Sequence, residues 1–203
     1  MNVQLAEAAS KADFKDMKLL LENGGDVNSK DQHVQYPLLF ALKKGKGELE
    51  EVKLLIENGS DVKSKTKRGH NILHCAVHNG HLDILNFFLK NKYVNVNSKD
   101  NDGWTPLHAA AFKGNLDAIR LLLQSGAEIN STDNDDWTPL HCGVKKGCLK
   151  VVEFLLQEGA QKDAKTKQNQ TPFDMVTEKL KNIEDVLIRM KKYDYEDILK
   201  CLN

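Results

Sequence analysis

The chain has 203 residues, with 29 Lys+Arg balanced by 29 Asp+Glu, so its formal net charge is zero. That excludes a protein held on nucleic acid by bulk positive charge. At 40% hydrophobic and 29% charged residues the composition is that of a folded, charge-rich protein rather than a disordered one. No apolar run approaches the roughly 20 residues that span a bilayer, and the first ten residues, MNVQLAEAAS, lack the basic and apolar segments of a signal peptide. Four cysteines without such a signal suggest a reducing compartment, cytoplasmic or nuclear, with free thiols.

The chain repeats itself. Leu5 opens Leu-Ala-Glu-Ala-Ala; Leu38 follows 33 residues later within Tyr36-Pro37-Leu38-Leu39. The same slot recurs as Asn71-Ile72-Leu73-His74, Thr105-Pro106-Leu107-His108, Thr138-Pro139-Leu140-His141 and Thr171-Pro172-Phe173-Asp174. Six units of about 33 residues result, placed at 1–30, 31–65, 66–99, 100–132, 133–165 and 166–203, together one domain over 1–203. Two spacings are longer. Lys46-Gly47 reads as a two-residue insertion, and Asn91 to Asn97 replaces a glycine turn with one extra residue. Both fall where loops tolerate length changes.

Each unit has the same grammar. Thr105 is an N-cap and Pro106 the first helical residue, where its missing N–H costs nothing. Leu107, Ala110 and Ala111 make a short helix with a small-residue face, ended by Gly114; Gly45, Gly80 and Gly147 hold the same place. Leu116, Ile119, Leu122 and Leu123 fall at helical spacing in a second helix closed by Gly126, matched by Gly24, Gly59 and Gly159. An extended stretch then leads into a turn at Asp133-Asn134-Asp135-Asp136. In the last unit, Thr177 to Lys192 reads as one continued helix with about a dozen inserted residues. Asp194 to Leu202 then reads as an outer helix, and the helix over 177–192 serves either as a cap or as a docking element.

Thr105-Pro106-Leu107-His108-Ala109-Ala110, preceded by Val96-Asn97-Ser98-Lys99-Asp100-Asn101-Asp102-Gly103, resembles the ankyrin repeat family over the whole chain. Departures are Leu39 for the histidine and Val34 for the turn glycine in the second unit, and Asp174 for the histidine in the sixth. The resemblance implies an all-α solenoid of stacked helix-turn-helix units with β-turn or hairpin tips. Neighbouring units share one core, in a stack on the order of 50–60 Å long. It further implies a monomeric, non-enzymatic module that binds one or more proteins on the tips and inner helices, without nucleic acid and without membrane insertion.

By register, the tip positions are Gln32, His33, Gln35; Lys67, Arg68, His70; Asn101, Asp102, Trp104; Asn134, Asp135, Trp137; and Lys167, Gln168, Gln170. On the inner helices they are Lys43, Lys44; His78, Asn79; Phe112, Lys113; and Lys145, Lys146. Trp104 and Trp137 share one slot in adjacent units, and Phe112 replaces a polar position, so these three are the expected anchors. The residues expected around them are Lys113, Lys145, Lys146, Asp102 and Asp135, with His78, Arg68 and His70 one unit earlier. Each tryptophan could equally pack on its own tip as part of the fold. Two alternatives use the same surface: a regulatory or host-directed adaptor or inhibitor, and a lipid- or nucleic-acid-binding lysine row (Lys43, Lys44, Lys113, Lys145, Lys146).

Catalytic and metal chemistry is not expected, and no cofactor either. His74, His108 and His141 sit in the repeat's structural slot, with Thr105, Pro106, Thr138 and Pro139. His74-Cys75 and His141-Cys142 lie two units apart, on the order of 20 Å, too far to share a metal or a disulfide. No phosphate loop or nucleophile elbow appears. Asn28, Asn97 and Asn130 follow Val or Ile before each turn, the place at which ankyrin-like proteins can be hydroxylated by an iron-dependent oxygenase; the simpler reading is that each asparagine bonds turn backbone.

Overall fold

The computed structural model describes residues 2–11, 13–30, 36–43, 48–181 and 192–203. Among them are twelve helices and no strand. They are α1 (Asn2–Lys11), α2 (Phe14–Glu22), α3 (Pro37–Lys43), α4 (Leu49–Glu57), α5 (Ile72–Asn79), α6 (Leu82–Lys90), α7 (Pro106–Lys113), α8 (Leu116–Gln124), α9 (Pro139–Lys146), α10 (Leu149–Gln157), α11 (Pro172–Lys181) and α12 (Lys192–Leu202). They alternate inner and outer helix, as the repeat requires. The continued helix expected over 177–192 is described only to Lys181 and again from Lys192; residues 182–191 lie outside the described ones, as does the insertion at Lys46-Gly47.

The chain forms two compact units, Met1–Asn101 and Asp102–Asn203. In the first, α3 packs between α1 and α5, and α2, α4 and α6 pack behind their own inner helices. Its core is fully buried Leu5, Met17, Leu38, Leu42, Leu55, Ile72, Leu73, Ile84, Leu85 and Phe88. In the second, α9 packs between α7 and α11, backed by α8, α10 and α12. α7, with Leu107, Ala110 and Ala111 buried, packs on α9, with Leu140 and Val144 buried. The small alanines let the two helices approach closely, and burying each aliphatic side chain stabilises by about 1.5–3 kcal/mol.

The caps follow from residue type. Thr105 and Thr138 are extended residues whose hydroxyls accept the N–H of His108 and His141, each completing a capping box. Gly80, Gly114 and Gly147 end their helices at φ 79°, 74° and 69°, a left-handed conformation that a side chain would disfavour. The long turn after α6 reaches the same conformation without glycine, at Lys92 (φ 52°), and the extra residue there follows. The tips close as turns: Thr66 N–H donates to His70 O at 2.9 Å, and Asp133 N–H to Trp137 O at 2.9 Å. Successive tips dock through backbone, Asn101 N–H to Arg68 O in the first unit and Asn134 N–H to Asp102 O in the second.

Two departures in the slots have physical reasons. Asn28 and Asn130 bond turn backbone, and that backbone belongs to the next repeat. Asn28 donates to Gly59 O at 2.9 Å and accepts from Asp61 N–H at 2.8 Å. Asn130 does the same with Gly159 O and Gln161 N–H. Asp174 keeps the cap that His supplies elsewhere: its carboxylate accepts from Thr171 N–H (2.9 Å) and Thr171 Oγ1–H (2.7 Å), bonds that hold its pKa below the usual value. At the end of the second unit α12 covers the core with Tyr195, Ile198 and Leu202, all nearly fully buried. Tyr195 lies against Gly147 and donates to Lys145 O at 3.3 Å.

Candidate functional site

The histidines of the repeat slot bridge neighbouring turns. Thr105 N–H donates to His108 Nδ1 at 3.2 Å, and His108 Nε2 lies 2.9 Å from Trp137 O. A backbone N–H only donates and a carbonyl only accepts, so the ring is the neutral tautomer with its proton on Nε2. His141 repeats this between Thr138 N–H (3.1 Å) and Gln170 O (3.3 Å), and its burial pushes the imidazole pKa down. These contacts make the two rings backbone-bridging groups. The bridge also places Trp137: the carbonyl that His108 grips is that of Trp137 itself.

Trp104 and Trp137 then line one cavity of about 490 Å³ together with Phe112, Asp133, Asp135, Lys145, Gln168 and Gln170. Trp104 stands edge-on to Phe112 at 5.4 Å between centroids, and Phe112 is 39% exposed, one of the few large apolar side chains left open. Lys145 Nζ lies 5.9 Å from the centroid of the Trp137 ring. Asp133 organises the wall. Its Oδ2 accepts from Trp104 Nε1–H at 3.0 Å. Its Oδ1 accepts from the N–H groups of Asp135 and Trp137, both at 2.8 Å. One carboxylate therefore fixes the Trp104 indole, the Trp137 backbone and the turn that leads to it.

The anchors expected from sequence come together here with Asp135 and Lys145. Lys113 and Lys146 are exposed on α7 and α9 beside the cavity rather than in its lining, and Asp102 is exposed on its tip, its carbonyl bonded to Asn134. Asp133 belongs to the acidic turn already noted, but its bracing role is new, as is the place of Gln168 and Gln170 in the wall. Register marks the slot of the brace but not its contact. Asp100 occupies the same slot one repeat earlier, and its Oδ2 lies 3.3 Å from His70 Nε2, so an acid here faces the ring nitrogen 29 or 30 residues upstream. After Trp137 the slot is Thr166.

Arg68, His70 and His78 do not join the tryptophan cavity. They line a second one, of about 510 Å³, in the first compact unit, with Lys67, Thr66, Cys75, Asn79 and Leu39. His70 stacks on His74 with centroids 5.7 Å apart, so its ring is held on both sides. Gln32, His33, Gln35 and Lys44 lie outside the described residues, and of the Lys43 side chain nothing is described.

Among the described residues no three His, Cys, Asp or Glu side chains converge as metal ligands. All four cysteines are free, and burial pushes the Cys142 thiol far above its usual pKa, which leaves it unreactive.

A family model described as ankyrin repeats, in 3 copies, matches residues 5–100 and 93–166. The chain belongs to the ankyrin repeat family. The match covers most of the chain and agrees with the capped, glycine-terminated helix pairs. No curated protein matches the ankyrin chain. Ankyrin repeats are in general protein–protein interaction modules. No helix among the described residues is long and apolar enough to cross a membrane.

Proposed function

We propose that this ankyrin protein is a non-enzymatic binding module whose partner protein is anchored in the cavity of Trp104, Phe112 and Trp137. The observation that carries the reading is the wall itself. One carboxylate holds the Trp104 indole and the Trp137 backbone while Phe112 is left 39% exposed beside them. Rigid, half-open aromatic side chains are what interface hot spots consist of, because little conformational freedom is lost when a partner covers them. Lys113, Lys146 and Asp102 form a polar rim that steers rather than anchors. The basic cavity of Arg68, His70 and His78 offers a second contact of opposite sign.

The test compares capture of partners from lysate by the wild type and by a Trp104→Ala/Phe112→Ala/Trp137→Ala variant shown by circular dichroism to be folded. A protein retained by the wild type and lost by the variant supports the site. Identical capture by both overturns it.

A further inference from the structure

We infer that the tryptophan cavity takes an arginine side chain of its partner, and that Lys145 occupies that place in the free protein. The inference rests on the reading of this cavity as the partner site, and it names the chemistry that enters.

The walls define the guest. Trp104, Trp137 and Phe112 present aromatic surface, whose faces are electron-rich and attract cations. Asp133 and Asp135 add two carboxylates to the same lining. Asp133 has both oxygens engaged by three N–H donors, while Asp135 is exposed at the rim. Electron-rich faces beside carboxylates complement a cation that is flat and has donors at its edge. A guanidinium is planar, weakly hydrated, and stacks on an indole while its N–H fork reaches a carboxylate. An ammonium is a compact, strongly hydrated point charge and uses this geometry less well.

The structure already holds a stand-in. Lys145 Nζ is 5.9 Å from the Trp137 centroid, near the outer limit of about 6 Å for a cation–π contact. Its side chain is exposed, so the contact is weak and replaceable. Its backbone is fixed instead, because Tyr195 of α12 donates to Lys145 O. The ammonium can therefore swing away without disturbing α9. Its departure uncovers the Trp137 face and changes the net charge of the lining from one negative to two, from Asp133 and Asp135. A basic guest thus displaces a basic occupant, and removing that occupant must tighten binding.

The chain has 2 tryptophans, both in this wall, so their two indole N–H signals report on the cavity alone. The experiment titrates the whole ¹⁵N-labelled protein with a capped Gly-Gly-Arg-Gly-Gly peptide. Matched peptides carry norleucine or glutamate in place of arginine. The arginine peptide is expected to move both signals saturably, and the other two to bind at least fivefold more weakly. Lys145→Ala is expected to tighten the arginine peptide two- to fivefold, and Asp135→Asn to weaken it by a similar factor. Both side chains are exposed, so neither change threatens the fold. Three results overturn the inference: no saturable shift, norleucine binding as well as arginine, or Lys145→Ala weakening the arginine peptide. Partner capture is read separately on the tryptophan variant. If capture needs the tryptophans and arginine fails, only the cation class falls; if arginine binds and capture ignores the tryptophans, only the partner-site reading falls.

Discussion

Replacing Asp133 by alanine should destabilise the second compact unit by loosening the turn and the Trp104 indole together. The carboxylate accepts three hydrogen bonds, from Trp104 Nε1–H at 3.0 Å and from the N–H groups of Asp135 and Trp137 at 2.8 Å. A hydrogen bond to a charged group contributes about 1.5–3 kcal/mol net. Asp133 is half-buried and its three bonds share one turn, so they add incompletely and each stands at the low end. The expected loss is about 2–4 kcal/mol. Asp133→Asn keeps a carbonyl oxygen for the two backbone N–H groups but turns a second donor toward the Trp104 indole. It should lose about half as much. Urea unfolding followed by far-ultraviolet circular dichroism measures both losses. Tryptophan fluorescence in the same titration tells whether the wall loosens before the unit melts. A loss below about 0.5 kcal/mol for Asp133→Ala, or an Asp133→Asn variant as stable as the wild type, would refute the bracing role.

Three further outcomes follow from buried groups and strained backbone. Gly103 sits at φ +81°, and a Cβ there would come within 2.5 Å of Asn134 Oδ1 and 2.6 Å of its N; Gly103→Ala should lower stability by about 2 kcal/mol or more in urea melts, and a neutral result would show that the tips can slide apart. His141 is held neutral by burial, with its pKa lowered, so the unfolded chain takes up a proton first as pH falls. Stability of the second unit should therefore drop as pH falls below the ordinary histidine value of about 6.5 and level off beneath the lowered one. His141→Gln should lose about 1–3 kcal/mol at neutral pH and flatten that slope, and an unchanged slope would rule His141 out as its source. Glu51 is 1% exposed, its Oε2 has no hydrogen-bond partner among the described residues, and burial raises its pKa. The folded state holds this proton to higher pH than the unfolded one, so stability should fall as pH rises from about 4.5 through the raised value and then stay flat. Glu51→Gln should gain about 1 kcal/mol at neutral pH, measured as a shift in the urea midpoint; a loss would mean the charge is compensated.

What the sequence reveals here depends on how far apart the cooperating residues stand. Thr105, Pro106 and Gly114 act within one helix, so their types state their roles: a hydroxyl cap, a first-turn proline, a left-handed stop. The grouping of the aromatic side chains was equally readable, because Trp104 and Trp137 share one slot in adjacent repeats and Phe112 stands where the other inner helices carry polar residues. The brace at Asp133 was harder. An aspartate in a turn suits the turn by itself, and only coordinates show that its second oxygen meets an indole 29 residues upstream. The same holds for Asn28, whose amide looks local in sequence but spans to Gly59 and Asp61. Arg68 and His78 were grouped with the tryptophans because register aligns them, yet they line a different cavity. Register assigns a residue to a row and leaves open which neighbours in the row share a hollow.

The change from histidine to aspartate at position 174 gives the array a direction of growth. His108 and His141 each reach forward to a carbonyl 29 residues later, whereas among the described residues Asp174 spends its carboxylate on Thr171. A duplicated repeat spliced in after residue 132 would meet a histidine behind it and a receptive carbonyl ahead of it. The same repeat joined beyond the sixth unit would find no hand extended. An insertion in the middle would keep the histidine bridges continuous and multiply the aromatic wall in the same stroke.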